Sequence, residues 1–139
     1  MKISAKTDYA CKALLELSLH WPNANPLRIN DIASRQKIPL KFLTHILINL
    51  KQLGYVQSIR GNKGGYNLGK APKDIKLGQI VVQFSESSGN KPHVSKKNDV
   101  MVVIWQEVDY IILDSMNKIN FEEISRRYRT MEKVPMYTI

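Results

Sequence analysis

Residues 60–65 read Arg-Gly-Asn-Lys-Gly-Gly, and this run constrains the fold more than any other part of the chain. Three glycines in six residues supply positive φ angles that other residues adopt only at a cost. Such a run does not continue a helix. Its flanks, residues 55–59 and 66–68, carry aromatic and β-branched side chains, so the whole segment is expected to be a short hairpin closed by a basic loop.

Three helices are expected upstream of that hairpin. Residues 7–20 place Ala10, Ala13, Leu14 and Leu17 at helical spacing, with Lys12 and Glu16 pointing elsewhere. Two prolines and two asparagines within residues 21–26 stop this helix. A short second helix follows, with Asn30 as its expected N-cap and Asp31 at the positive end of its dipole. Residues 37–39 turn the chain into a third helix over 40–53, closed by Gly54. Phe42, Leu43, Ile46, Leu47, Leu50 and Leu53 form its expected buried stripe. Lys41, Thr44, His45, Ile48, Asn49 and Gln52 form the opposite face.

Beyond the hairpin, residues 77–86 read as a short helix with Ile80, Val81 and Phe84 on one face. Residues 87–99 are polar, contain Gly89 and Pro92, and are expected to form a mobile loop. A long helix over 100–118 comes next. Met101, Trp105, Val108, Ile112, Ser115 and Ile119 recur by fours and threes, the spacing of a helix–helix seam, and Val103, Ile104 and Ile111 widen its apolar face. Asn120 is placed to cap a last helix over 121–128.

Charge sorts the halves of the chain. Residues 1–76 hold 13 basic and 4 acidic side chains, whereas 77–139 hold eight of each, so the formal charge of +9 belongs to the first half. A concentrated basic field attracts polyanions, either nucleic acid or an acidic membrane surface. The longest apolar run is the six residues 100–105, far short of the roughly 20 that span a bilayer. Lys12 and Glu16 interrupt the N-terminal apolar stretch, unlike a secretory leader. A single cysteine, Cys11, excludes an internal disulfide, a CxxC redox centre and an all-cysteine metal site. A cytoplasmic location is expected.

The chemistry of an enzyme is missing from the pattern. No Ser/His/Asp order, paired carboxylates or phosphate-cradling GxxxxGK run occurs. His20, His45 and His93 include no i, i+4 pair that could grip a metal, and Cys11 reads as a small core residue. Duplex recognition, by contrast, needs a helix narrow enough for the major groove, polar groups on its outer face, and cations for phosphates. The third helix offers Lys41, Thr44 and His45, although any amphipathic helix presents such a solvated face. The basic loop directly after it decides between the two. Arg60, Gly61, Asn62 and Lys63 lie on a ribbon able to follow a minor groove, whose negative potential favours Arg. Helices followed by a basic hairpin are the order of a winged helix-turn-helix.

At this point the residues carry a resemblance. KTDYA near the N-terminus, INDIASRQKIPLKFLTHILINLKQLGYV, SIRGNKGGYNLGKAP and the trailing IKLGQIV resemble the Rrf2 family of IscR/NsrR/CymR-like regulators. The match is close over residues 1–86, and RGxxGGYxL at positions 60–68 is its most specific part. The resemblance implies a homodimeric winged-helix transcription factor with its wing at 60–65, its recognition helix at 40–53, and a long C-terminal dimerisation helix. Two departures stand out. Many relatives hold an iron–sulphur cluster with three cysteines in the stretch matching residues 87–105, which here contains none. Asp8 matches a position that supplies a ligand in some members, and His93 falls in the cluster loop, yet without thiolates both read as surface residues. Pro39 stands where relatives often have a serine, removing a hydroxyl that could cap the helix or touch DNA.

The expected architecture is therefore mainly α with a small β-hairpin wing. Residues 1–86 form a winged helix-turn-helix head, 87–99 a mobile loop, and 100–139 the dimerisation and C-terminal helices. The expected function is sequence-specific regulation of transcription, as a repressor on a pseudo-palindromic operator. Double-stranded DNA would be contacted by Lys41, Thr44, His45, Arg60, Gly61, Asn62 and Lys63. Met101, Trp105, Val108 and Ile112 would pair two copies, with no cofactor or metal and with a protein or small molecule as possible effector. The alternative is a protein-interaction subunit that has lost operator binding. A membrane-surface role ranks third, since no strongly basic amphipathic helix supports it.

Overall fold

The computed structural model describes residues 2–22, 25–85 and 99–133. Helix α1 spans Ala5–Leu19, capped by Ser4, whose hydroxyl oxygen accepts from the Thr7 amide at 3.1 Å. Its buried residues include Ala10, Ala13, Leu14 and Leu17, as their spacing predicts. Glu16 departs from expectation. It is only 5% exposed, accepting from Gln36 Nε2 at 3.5 Å and lying 3.3 Å from His20 Nε2. A carboxylate can be buried there because two polar partners reach it.

Helix α2, Ile29–Gln36, starts one residue before the predicted cap. Arg28 takes the capping position without a side-chain hydrogen bond, and Asn30 lies inside the helix. The cause is tertiary: Leu27 bridges Tyr66 through two backbone hydrogen bonds, which hold the chain extended until the residue before the helix. Lys37, at φ 54°, breaks α2 in the left-handed region, and the buried Ile38 with Pro39 leads into α3, Leu40–Gln52. This is a helix-turn-helix.

The buried stripe of α3 is narrower than its sequence suggests. Leu43, Ile46, Leu47 and Leu50 are buried, but Phe42 is 49% exposed and Leu53 37%. The core beneath α3 is closed by α1 and takes only one stripe, so the residues at the margins of that stripe are left at the rim. Phe42 lies there against Tyr9, with ring centroids 6.1 Å apart.

The hairpin consists of β1, Val56–Ile59, and β2, Gly65–Leu68, antiparallel with Val56 opposite Leu68 and Ile59 opposite Gly65. Leu27 adds a third short rung beyond β2. At Gly61 the backbone has φ 113°, which explains that glycine. At Gly65 a Cβ would run into the carbonyl of Leu27, so glycine permits the close approach of the two segments.

A 3-10 turn at Pro72–Asp74 precedes α4, Leu77–Phe84. The expected loop at 87–99 lies outside the described residues except for Asp99, which caps α5, Val100–Asn117. Helix α6 spans Phe121–Lys133, five residues longer than expected, and its first residue, Phe121, is fully buried in the core built by α1, α3 and α4. The corner between α5 and α6 is bonded to the head, Leu77 N to Ile119 O at 2.8 Å and Phe121 N to Ile75 O at 3.1 Å. The last helix therefore returns to α1 and secures the base of α5. The fold is mainly helical with a two-stranded hairpin, as expected.

Candidate nucleic-acid interface

The first half of α3 is held by its inner leucines and isoleucine, so its outer residues have fixed directions. Lys41, Thr44 and His45 are all exposed, and their i, i+3, i+4 spacing places them on one face. Lys41 Nζ sits 5.6 Å from the Phe42 ring centroid. The Thr44 hydroxyl donates to the Leu40 carbonyl at 2.9 Å, leaving its oxygen free to accept. Leu40, Phe42 and Ile48 add apolar surface to this outer side of the helix.

The second group lies in the loop of the hairpin, where Arg60, Gly61, Asn62 and Lys63 are exposed. Gly64 N donates to Gly61 O at 2.9 Å and tightens the tip. Neither Lys41, Arg60 nor Lys63 belongs to an ion pair among the described residues; those pairs are Lys12–Asp8, His20–Glu16, Lys118–Asp114 and Glu123 with Arg126 and Arg127. Cations left unpaired on the surface are available to an external polyanion.

No hydrogen bond joins the α3 group directly to the wing group among the described residues. The wing tip is tied instead to the start of α2 by Arg28, which sequence reasoning passed over. Its guanidinium donates to the main-chain carbonyl of Asn62 at 2.6 Å, from the start of α2 to the tip of the wing. The signal available in the sequence was slight: one extended residue between Pro26 and a helix, long enough for a single β-bridge.

A second surface of interest is α5, none of whose residues is buried. Met101 is 47% exposed, Trp105 59% and Val108 37%, while Ile112 is half-buried. Val103, Ile104 and Ile111 extend this apolar surface to solvent. No helix among the described residues is long and apolar enough to cross a membrane.

Comparison with known proteins bears on both surfaces. A family model described as Rrf2, iron-dependent transcriptional regulator, matches residues 3–127. The HTH-type transcriptional regulator IscR of Erwinia tasmaniensis is 32% identical over 130 residues, covering 89% of this chain and 78% of that protein. IscR of Vibrio campbellii is 30% identical over 138 residues, covering 95% and 82%. Among solved structures, T. potens IscR superposes with a TM-score of 0.80 at 27% identity, over 100% of this chain and 94% of that one. CymR, the global cysteine regulator of B. subtilis, superposes with a TM-score of 0.78 over 91% and 98%, and at 23% identity it shows the fold alone. That fold is the winged helix.

The family description names iron, and the donor set here does not fit a cysteine-held centre. Iron–sulphur clusters are held mainly by thiolates, and this chain has one cysteine. Burial, with the negative charge of Asp8 adding to it, pushes the Cys11 thiol up to about 12. Asp8 is engaged 2.8 Å from Lys12 Nζ. No group of three or more His, Cys, Asp or Glu side chains able to hold a metal occurs among the described residues, and His93 lies outside them.

Proposed function

This chain belongs to the Rrf2 family of transcriptional regulators, and from that premise we propose that it represses transcription by binding a pseudo-palindromic operator as a homodimer. The family consists of DNA-binding regulators, not enzymes. The observation that carries the finer reading is the pairing of two solvent-facing groups on one head: Lys41, Thr44 and His45 on α3, and Arg60 to Lys63 on the wing. In this reading α3 enters the major groove and its first turns meet base edges and phosphates. Arg60, with Gly61, Asn62 and Lys63, follows the adjacent minor groove.

Support for the homodimer comes from α5. Its exposed Met101, Trp105, Val108 and neighbouring isoleucines form too apolar a stripe for a solvent-facing helix, and a second copy of the same stripe covers it by twofold symmetry. Two heads related by that axis read two related half-sites, which is the reason to expect a pseudo-palindrome. Repression follows from occupancy of a promoter by such a dimer in the cytoplasm, with no bound cofactor. A small molecule or protein partner would supply the signal.

Affinity selection of fragments from the source genome tests the reading. A shared pseudo-palindromic sequence upstream of a small set of genes, bound by two chains per site, is the expected result. Recovery of random fragments, or of a partner protein and no DNA, supports instead the interaction subunit that has lost operator binding.

A further inference from the structure

Arg28 occupies a joint that the contacts described above leave without a role in recognition. The residue before it, Leu27, exchanges two backbone hydrogen bonds with Tyr66, at 2.9 and 2.7 Å. The residue after it begins α2. Its backbone is therefore fixed on both sides. From that base the side chain reaches over a cleft of about 620 Å³, lined also by Ile29, Asn30, Gly61, Gly64 and Tyr66, to donate to the Asn62 carbonyl. Among the described residues two hydrogen bonds reach positions 61–64: this one, and the Gly64–Gly61 bond internal to the loop. Only the first ties the tip to the rest of the head. A two-stranded hairpin is marginal by itself, and a glycine-rich tip has much conformational freedom to lose on binding. A bond from a charged donor is among the stronger hydrogen bonds, and holding the tip in the free protein removes an ordering cost from association.

We propose that Arg28 is a positioning residue for DNA recognition, a strut that fixes the wing tip through the Asn62 carbonyl and so presents Arg60, the side chain of the wing that carries specificity. It acts through the wing and does not itself touch nucleic acid. The proposal rests on the reading that this wing meets DNA.

The full chain is tested as Arg28→Met, which keeps the stem and removes the donors, and as Arg28→Lys, which keeps the charge and a donor. With the strut removed, binding to a genome-selected operator duplex weakens about tenfold. Binding to a random duplex stays within about twofold, and the slope of log K against log salt is unchanged, because no phosphate contact is lost. Arg28→Lys restores most of the affinity. In the free protein, NMR order parameters of the Gly61, Asn62 and Gly64 amides fall in Arg28→Met and recover in Arg28→Lys. Equal weakening on both duplexes, with the slope flattened by about 0.9, overturns the proposal and makes Arg28 a phosphate contact. Unchanged wing order in Arg28→Met overturns it as well. That last measurement needs no DNA, so a chain that selects no operator defeats the DNA-binding reading without hiding the fate of the strut.

Discussion

The hydroxyl of Thr7 donates to the main-chain carbonyl of Phe84 at 3.1 Å, joining the first turn of α1 to the last residue of α4 across 77 positions of sequence. Both residues are buried, Thr7 at 2% exposure and Phe84 at 3%. The bond closes the head where the chain leaves α4 toward α5. The same hydroxyl lies 2.9 Å from Ser4 Oγ, so one short side chain serves both the cap and the closure.

Thr7→Val keeps the volume and removes the one donor that reaches the Phe84 carbonyl among the described residues. The expected loss is about 1–3 kcal/mol of unfolding free energy. Urea denaturation measures it, and Thr7→Ser should recover most of the loss. Equal stability of the valine variant would show that water already satisfies that carbonyl.

The wing should separate two kinds of contact. Arg60→Ala is expected to cost about 1–3 kcal/mol of specific binding, because an arginine in a narrow minor groove reads sequence-dependent shape. Lys63→Ala should weaken operator and random duplex alike and reduce the salt slope. Fluorescence anisotropy against both duplexes distinguishes them. Operator affinity that survives both substitutions takes the wing out of the mechanism.

Dimerisation is best tested on α5 itself and not by truncation, since Phe121 beyond it is part of the head core. Trp105 is 59% exposed, so Trp105→Glu leaves the fold of one chain intact while placing a charge in the proposed seam. Sedimentation should show a dimer for the natural sequence and a monomer for the variant, with operator affinity lost together with the dimer. A variant that stays dimeric puts the interface elsewhere.

Protein purified without oxygen should be colourless, hold no stoichiometric iron or sulphide, and bind its operator without added metal. The Cys11 thiol should also be inert. With its pKa pushed up to about 12, the neutral thiol persists throughout the neutral range and the thiolate gathers only near pH 12. Alkylation at pH 7.5 should run on the order of 1,000-fold slower than at an ordinary cysteine. Folding contributes in the matching direction: raising the thiol's pKa leaves stability untouched at neutral pH and erodes it as pH rises past the ordinary thiol range. A cluster spectrum that vanishes in Cys11→Ala would contradict this and make Cys11 a ligand.

Much of this architecture was legible from residue order because it rests on short-range rules. The period of Leu43, Ile46, Leu47 and Leu50 marks α3 without reference to the rest of the chain, and the three glycines at 61, 64 and 65 mark the hairpin. The misreadings share another cause. Asn30 is a better cap than Arg28 by local preference, yet the Leu27–Tyr66 bridge sets where α2 begins. Phe42 and Leu53 continue an apolar period that is wider than the core beneath it. Glu16 is buried because Gln36 and His20 meet it, and only the packing of α1 with α2 reveals one of those partners. Arg28 and Asn62 stand 34 residues apart with no periodicity to relate them, so their contact could be found only in three dimensions.

The most direct test of the account is the affinity of the full chain for a genome-selected operator and for a scrambled duplex of equal length, measured across a range of salt. An operator preference of at least about 10³-fold is expected at physiological salt, with affinity for both duplexes falling steeply as salt rises. Equal affinity for the two duplexes, or binding indifferent to salt, would contradict it.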